Sequence, residues 1–219
     1  MNLNDFYLED YFDWVPEADD IKANFPQMPE EKYSVILMNT PWDFVGGIQY
    51  DSAFDEEVNG KINRSFWYHD TFTNQAKKIA KIRDMKIHDI CEDDCLLFMW
   101  TTGPKFLETV QLAVHWGFEF QNVAFVYDNM IQNRGNYSRV NYSLTQCEFC
   151  LVFKKGNRLD QKVRNIKQLM FPNETPLHNN HPTEVIRSLT SMFPNEKKIE
   201  MFGDQRFGGW DIWNIRYKP

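Results

Sequence analysis

Five segments rich in apolar residues alternate with amphipathic and polar segments along this chain. The apolar runs among them, such as VILM and CLLFMW, are typical of strands that are buried on both faces of a sheet. Segments with an apolar residue at every third or fourth position are typical of helices, and two of them start near a proline, which favours a first helical turn. The predicted strands cover residues 32–39, 95–100, 120–128, 148–156 and 197–204, and the predicted helices cover 72–90, 104–117 and 181–193.

The alternation of strands and helices predicts an α/β fold around a parallel sheet. A single domain over 32–219 is expected, because that span has no internal repeat and no low-complexity tract. In parallel sheets of this kind, ligands bind outside the carboxyl ends of the strands. Segments 39–42 and 202–204 follow predicted strands and are therefore expected at that edge.

The 219 residues carry a formal net charge of −7, which excludes a uniformly basic nucleic-acid binder but leaves room for a local basic groove. Residues 1–31 hold nine acids, one base and several aromatic residues. This N-terminal extension is either a short helix packed on the body or an arm that covers a basic groove or docks on a partner. It lacks the basic start and apolar stretch of a signal peptide, and no apolar run of 18 residues occurs. We therefore expect an intracellular protein without a membrane span, cytoplasmic if its source is a prokaryote or phage.

One stretch of the body is strongly basic. Residues 154–167 hold six bases and one acid. A loop of this charge suits contacts with phosphates, although an ordinary solvated loop can have the same composition. The polar segment 130–146 is expected to be a long loop over the edge where the strands end.

The cysteines and histidines do not predict a metal site. The chain has four cysteines, at positions 91, 95, 147 and 150. Their C-x3-C and C-x2-C spacings would suit zinc, but the second pair falls on a strand, where an odd offset turns the side chains to opposite faces. We expect all four to be reduced and to pack as small hydrophobic residues. His178 and His181 lack a carboxylate partner at a set spacing, so no metal is predicted there.

The Asn-Thr-Pro-Trp sequence after the first predicted strand has residue types that can hold a planar heterocycle with an exocyclic amine. The Asn39 side-chain oxygen can accept one amine hydrogen, and the Thr40 carbonyl can accept the other. Pro41 fixes the turn that aims this carbonyl, and Trp42 offers a flat face for stacking. Such acceptors orient the amine lone pair toward an electrophile placed in line. An ordinary strand-to-loop turn is the alternative.

Five sequence blocks, in this order, resemble the MTA-type adenine N(6)-methyltransferases. That family includes the eukaryotic mRNA adenosine methyltransferase and many bacterial and phage DNA adenine methyltransferases. The blocks are YSVILMNTPW, CLLFMWTTGPKFLETVQLAVHWGFEF, EFCLVFKKGN, HPTEVIRSL and KKIEMFGDQRFGGWDIW, and they cover roughly residues 31–214. The resemblance implies a Rossmann-like, S-adenosylmethionine-dependent methyltransferase fold in which the catalytic motif precedes the cofactor strand. It also implies methyl transfer to the 6-amino group of adenine in nucleic acid.

The resemblance carries functional roles onto particular positions. The catalytic residues it implies stand where the family has Asp-Pro-Pro-Trp, namely Asn39, Thr40, Pro41 and Trp42. The residues expected to hold S-adenosylmethionine are Met38, Asn39, His181, Glu200, Phe202, Gly203, Asp204, Gln205 and Asn214. The residues expected to contact nucleic acid lie in the two polar or basic loops, namely Asn133, Arg134, Asn136, Tyr137, Arg139, Lys154, Lys155 and Arg158.

Departures from the family pattern leave more than one function open. His181 stands where the family has a lysine, Asp204 where an arginine is frequent, and Ile215 within the altered closing motif. These changes favour a catalytically inactive, nucleic-acid-binding partner subunit, whereas Asn39 favours an active enzyme because an inactive subunit needs no amine acceptor. We predict an adenine N(6)-methyltransferase that acts on DNA in preference to RNA, as a homodimer or beside a related methyltransferase subunit. A small-molecule amine methyltransferase would leave the basic stretch unexplained.

Overall fold

The computed structural model describes residues 27–40, 42, 56–58, 61–63, 82–128, 147–171, 177–178, 181–203 and 206–213. The strands are β1 Tyr33–Met38, β2 Glu56–Val58, β3 Lys61–Asn63, β4 Cys91–Thr102, β5 Glu119–Asp128, β6 Cys147–Lys155, β7 Leu169–Met170, β8 Leu177–His178, β9 His181–Pro182, β10 Lys198–Met201 and β11 Asp211–Trp213. The α-helices are α1 Phe106–His115 and α2 Thr183–Met192, and short 3-10 helices cover Ile87–Ile90 and Gly103–Lys105.

Seven of these strands form one sheet in the order β11-β10-β1-β4-β6-β5-β7, and β2–β3 and β8–β9 form two small antiparallel pairs. All five predicted strands are present in the large sheet, as β1, β4, β5, β6 and β10. The sheet gains two short edge strands, β7 and β11, that the apolar pattern does not predict. Six of the seven strands run in one direction. We call the edge where these six strands end the carboxyl edge and the opposite one the amino edge.

The prediction of an entirely parallel sheet is wrong at β6. This strand pairs antiparallel with both of its neighbours, β4 and β5. Antiparallel neighbours need no helical crossover between them, and the sequence between β5 and β6 has no helical pattern. As a consequence, β6 begins at the carboxyl edge and ends at the amino edge.

The central strands of the sheet are buried on both faces, which explains the apolar runs of β1 and β4. All six residues of β1 are buried. Ile36 and Met38 belong to the cluster that includes Leu112 of α1, and we call this side of the sheet the α1 face. Leu37 and Leu189 belong to the cluster on the other side, which we call the α2 face. Successive residues of a strand therefore alternate between the two faces.

The helices predicted over 104–117 and 181–193 are confirmed with shorter bounds, as α1 and α2. Gly117 follows α1 with a positive φ of 83°, and its N–H donates to the carbonyl of Val114, which closes the helix as expected for a glycine just past its end. The helix predicted over 72–90 is wrong in its last part. Residues 84–86 form a turn, and Ile87–Ile90 is a 3-10 helix that buries Ile87 and Ile90.

Three of the four cysteines are buried, and Cys147 is partly buried. All four are thiols, and burial raises the pKa of the Cys150 thiol well above its usual range. Cys91, Cys95 and Cys150 pack in the two core clusters as small hydrophobic residues, as predicted, whereas Cys147 belongs to neither cluster. No helix among the described residues is long and apolar enough to cross a membrane. The polar loop predicted over 130–146 and most of the acidic N-terminal extension lie outside the described residues.

Candidate active site

The two segments that the sequence predicts at the carboxyl edge lie side by side. Met38, the last residue of β1, is in register with Met201, the last residue of β10. The parallel ladder continues one step further, because the Asn39 N–H donates to the Met201 carbonyl at 3.0 Å. The turn after β1 and the turn after β10 are therefore neighbours.

The Asn39 amide has a fixed orientation. Its Nδ2 donates to Oε1 of Glu200 at 2.7 Å, and Glu200 is only 2% exposed. Its Oδ1 is buried and has no hydrogen-bond partner among the described residues. A buried acceptor without a partner is uncommon in native proteins, since leaving one unpaired costs about 1–3 kcal/mol. The side chain thus offers an acceptor oxygen at the carboxyl edge.

Thr40 and Trp42 form a tight turn directly after Asn39. The Trp42 N–H donates to the Thr40 carbonyl at 2.8 Å, the two-residue spacing of a γ-turn. This carbonyl oxygen keeps a second lone pair, so it can accept another hydrogen. Thr40 is buried, and its hydroxyl has no partner among the described residues. Pro41 lies outside them.

The predicted stacking role of Trp42 is wrong for this conformation. The indole is 5% exposed and belongs to the core cluster on the α1 face. Its Nε1 donates to the main-chain carbonyl of Trp100 at 3.0 Å. The ring therefore anchors the turn to β4 and presents no open face to a ligand. The inward position suits a tryptophan because the ring packs in the core while its N–H finds an acceptor in the main chain.

Five side chains line up along the carboxyl edge on the α2 face. Trp100 and Tyr127 belong to the core cluster of that face, and Glu148 precedes Cys150 of the same cluster by two residues. Glu200 lies between two residues of the α1-face cluster, so its side chain points to the α2 face, where it contacts Asn39. We call this set the polar row; in order across the sheet it consists of Glu200, Asn39, Trp100, Glu148 and Tyr127.

His181 lies over the polar row. Its ring stacks on Trp100 with centroids 4.1 Å apart and planes 12° apart. Its Nε2 lies 3.1 Å from Oε2 of Glu148, and its Nδ1 is buried without a partner among the described residues. Burial, with the nearby Glu148 carboxylate adding to it, raises the pKa of Tyr127 to about 12. The sequence patterns do not predict Trp100, Glu148 and Tyr127 as site residues.

The turn after β10 is narrow and held from two sides. Phe202 has a positive φ of 61°, which is strained for a side chain of this size. Its N–H donates to the Trp213 carbonyl at 2.7 Å, and the two rings meet edge to face at 5.2 Å. Gly203 passes so close to Glu200 that a Cβ there would lie 2.8 Å from the carboxyl carbon. The predicted cofactor residues Phe202, Gly203 and Glu200 are thus brought together.

One predicted cofactor residue points away from the site, and several other predicted site residues lie outside the described part of the chain. The Met38 side chain is fully buried in the α1-face cluster, so a side-chain contact with the cofactor is wrong; the pleat directs it away from the polar row. The predicted cofactor residues outside the described residues are Asp204, Gln205 and Asn214. The predicted nucleic-acid residues outside them are Asn133, Arg134, Asn136, Tyr137 and Arg139.

The basic residues Lys154 and Lys155 lie at the amino edge. They are in register with Leu96 and Cys95 at the beginning of β4, and Lys154 Nζ lies 3.5 Å from the carboxylate of Glu119. The nine residues of β6 separate them from the carboxyl edge by roughly 26 Å. Their predicted contact with nucleic acid therefore stays a prediction, and it concerns phosphates far from the carboxyl edge. The position of the two lysines follows from the direction of β6, since a parallel strand would have ended beside Asn39.

Comparison with known proteins agrees with this architecture. The MT-A70 family model matches residues 33–214. The type II methyltransferase M.MunI from Mycoplasma sp is 39% identical over 193 residues, which are 87% of this chain and 80% of M.MunI. The zebrafish (Danio rerio) N(6)-adenosine-methyltransferase subunit METTL3 is 24% identical over 78% of this chain and 25% of its own length. The human METTL3 catalytic subunit is 24% identical over 78% of this chain and 26% of its own.

The chain spans about a quarter of the METTL3 proteins it matches, so the match concerns one part of those longer chains. The family resemblance and the Rossmann-like fold predicted from the sequence are confirmed. This chain belongs to the MT-A70 family of S-adenosylmethionine-dependent adenine N(6)-methyltransferases.

Proposed function

We propose that the carboxyl edge methylates the 6-amino group of an adenine in DNA, with Asn39 and Thr40 as the groups that hold the amine. The observation that carries this proposal is the buried Asn39 Oδ1, which is turned away from Glu200 and lacks a partner among the described residues. An adenine amine has two hydrogens, and Asn39 Oδ1 with the Thr40 carbonyl supplies two acceptors in consecutive residues.

Hydrogen bonds from both amine hydrogens keep the nitrogen lone pair on the nitrogen and aim it. Bound S-adenosylmethionine would supply an electrophilic methyl group in line with that lone pair. Methyl transfer would leave a positive charge on the amine nitrogen, which would then release one proton to solvent water. Neither Asn39 nor Thr40 forms a covalent bond with the substrate. Their role is to orient the amine.

The residues around the turn after β10 fit the cofactor. Glu200 is a buried carboxylate beside this turn, and a carboxylate accepts from ribose hydroxyls and attracts an ammonium group. The absence of a Cβ at Gly203 lets the turn pass close to the Glu200 side chain, which fills the place that a Cβ would take. The unpaired Nδ1 of His181 adds a polar atom on the same face. We propose Glu200, Phe202, Gly203 and His181 as the described part of the cofactor site.

We propose that the nucleic acid runs along a basic strap, residues 156–168, that crosses the flank of the α2 face. The strap begins at the amino edge, where Asn157 N–H donates to the Asp94 carboxylate at 2.6 Å. It ends beside β5, where the Gln168 carbonyl accepts from Val126 at 2.9 Å. Because β5 ends at the carboxyl edge, the strap rises toward the polar row.

Apolar side chains hold the strap down, and bases cover its outer side. Leu159 and Ile166 pack against the α2-face cluster. The exposed bases, none of which has an ion-pair partner among the described residues, are Arg158, Lys162, Arg164 and Lys167. Exposed bases in a row suit the phosphates of a nucleic-acid backbone. Phe171, 45% exposed just beyond the strap, adds a ring on which a base can stack.

DNA is proposed over RNA because M.MunI, a type II methyltransferase, is matched over 80% of its length, whereas the METTL3 proteins are matched over about a quarter. An adenine inside a duplex has to leave the base stack before its amine reaches Asn39. The METTL3 relative is named as a subunit, so association with a related subunit is a further proposal. Light scattering of the purified chain, alone and with a candidate subunit, tests it.

The deciding experiment incubates the purified chain with S-adenosylmethionine and mixed-sequence duplex DNA, single-stranded DNA or RNA, and identifies the methylated nucleoside by mass spectrometry. We expect N(6)-methyl-2′-deoxyadenosine from duplex DNA. A control duplex in which purine replaces adenine keeps the ring but removes the amine, and it should accept no methyl group. Methylation of RNA alone would overturn the DNA preference. No methylation of any substrate, with nucleic-acid binding intact, would favour the inactive partner subunit.

A further inference from the structure

We propose that Glu200 is a positioning residue, which fixes the atom of the Asn39 amide that faces the substrate. This inference rests on the proposed function. An asparagine amide carries an acceptor oxygen and a donor nitrogen of similar size, so rotation by 180° exchanges them. An ionised carboxylate only accepts hydrogen bonds, so it can pair with Asn39 only through Nδ2. The observed Nδ2–Oε1 distance of 2.7 Å has this geometry, and it leaves Oδ1 facing away from Glu200.

Glu200 can impose this orientation because it is itself held in place. It lies inside β10, in register with Leu37, and is 2% exposed. The backbone of Gly203 passes over its carboxyl group, and a Cβ there would lie 2.8 Å from both Cδ and Oε2. A flipped Asn39 would turn its amide oxygen toward the carboxylate, so two hydrogen-bond acceptors would face each other without a hydrogen between them.

The residues at positions 39 and 200 therefore work as a pair. The related Asp-Pro-Pro-Trp motif has an aspartate at position 39, together with a lysine where this chain has His181. In this chain the His181 ring lies within hydrogen-bond distance of the Glu148 carboxylate instead. An aspartate beside Glu200 would place two carboxylates in direct contact without that lysine. Asn39→Asp, although it restores the first residue of the related motif, is expected to be harmful here.

The pair can be tested by exchanging its donor and acceptor. In the double variant Asn39→Asp/Glu200→Gln, the glutamine amide donates to the aspartate, and the second aspartate oxygen stays available as an acceptor. The measurement is a double-mutant cycle on the full chain, which comprises the wild type, the two single variants and the double variant. Each protein is measured for melting temperature, for S-adenosylmethionine affinity by calorimetry, and for kcat at saturating cofactor.

We expect Asn39→Asp to lower both the melting temperature and kcat. When Glu200→Gln is added to it, kcat should rise at least about tenfold over that of Asn39→Asp alone, and part of the melting temperature should be recovered. A residue that acts only on the cofactor would give the opposite result. In that case Glu200→Gln would weaken S-adenosylmethionine binding equally in both backgrounds, and kcat would not recover.

The outcomes separate this inference from the proposed function. Additive changes in melting temperature would show that the two side chains do not interact, and they would overturn the inference whether or not the chain is active. Recovery of melting temperature without recovery of kcat in an active wild type would reduce the contact to a structural one and also overturn it. An inactive wild type would overturn the proposed function, and the coupling in melting temperature would then decide alone whether Glu200 holds Asn39.

Discussion

The two edges of the sheet treat their buried polar groups in opposite ways. At the amino edge these groups find partners within the chain: Lys198 Nζ donates to the Phe193 carbonyl at 2.8 Å, and Cys91 Sγ donates to the Ile87 carbonyl at 3.0 Å. At the carboxyl edge, Asn39 Oδ1, His181 Nδ1 and the Tyr127 hydroxyl are buried without a partner among the described residues.

This difference indicates where the molecule is built for a ligand. An unpaired buried polar atom destabilises the folded state, so the fold keeps such atoms where another function requires them. At the amino edge, Lys198 and Cys91 use their polar atoms to hold neighbouring segments of the chain. At the carboxyl edge, the unpaired atoms belong to Asn39 and Tyr127 of the polar row and to His181, which stacks on Trp100 of the same row.

The largest effect is expected from removal of the acceptor at the carboxyl edge. Asn39→Ala should lower kcat by about 100-fold or more, as for removal of one positioned hydrogen-bonding group at a reacting atom. The chain should stay folded with a lower melting temperature, because the buried Glu200 carboxylate loses the hydrogen bond from Asn39 Nδ2. Single-turnover methylation kinetics measure the effect. Asn122→Ala, which removes an exposed asparagine from β5, is the control and should keep full activity. Equal kinetics for the two variants would contradict the role of Asn39.

The second largest effect is expected from Trp42, whose indole anchors the turn after β1 to β4. Trp42→Phe keeps an aromatic ring in the core but loses the hydrogen bond to the Trp100 carbonyl. We expect the free energy of unfolding to fall by about 1–3 kcal/mol, together with a loss of kcat as the turn loosens. Urea denaturation measures the first quantity.

Trp210→Phe is the matched control for the anchor. It removes a similar indole bond, from Nε1 to the Thr190 hydroxyl at 2.9 Å, at a site before β11 and hence at the amino edge. It should lower stability by a comparable amount and leave kcat unchanged. If Trp42→Phe raised only the KM for nucleic acid and left stability intact, the indole would be stacking on a base after all.

A smaller effect is expected at the turn after β10. Gly203→Ala would push a Cβ to within 2.8 Å of the Glu200 carboxyl group, so Glu200 has to move. We expect an activity loss of about tenfold and weaker S-adenosylmethionine binding, because small misplacements of positioning groups are costly. Gly208→Ala, where a Cβ would meet nothing within 4 Å, is the control. Calorimetric titration with the cofactor should distinguish the two, and identical affinities would show that the turn tolerates a side chain.

The smallest effect is expected on the basic strap. Arg164→Gln and Lys167→Gln should each weaken DNA binding and reduce the slope of log affinity against log salt by about 0.9 for each lost phosphate contact. At saturating DNA, kcat should not change. Lys154→Gln at the amino edge is the control, because Lys154 already pairs with Glu119. Fluorescence anisotropy at several salt concentrations gives the slopes. A slope reduced by Lys154→Gln and unchanged by the strap variants would reverse the assignment.

Much of the site can be predicted from the sequence because its two turns follow directly from strands of a parallel sheet. Asn39 and Gly203 are found in this way, since every parallel strand ends at the same edge. Glu148 and Trp100 could not be found by this rule. Glu148 begins its strand rather than ending it, and only the antiparallel direction of β6 brings it to the carboxyl edge. Trp100 ends an apolar stretch and resembles an ordinary core residue.

The sequence by itself determined the family, the five main strands, the two helices on the sheet and the acceptor motif after β1. These features depend on local pattern and on the order of blocks, which a linear chain contains in full. The tertiary structure decided the direction of β6, the burial of Trp42 and the contact between Asn39 and Glu200. Strand direction, side-chain orientation and contacts across 161 residues depend on which segments become neighbours, and local sequence patterns do not encode that choice.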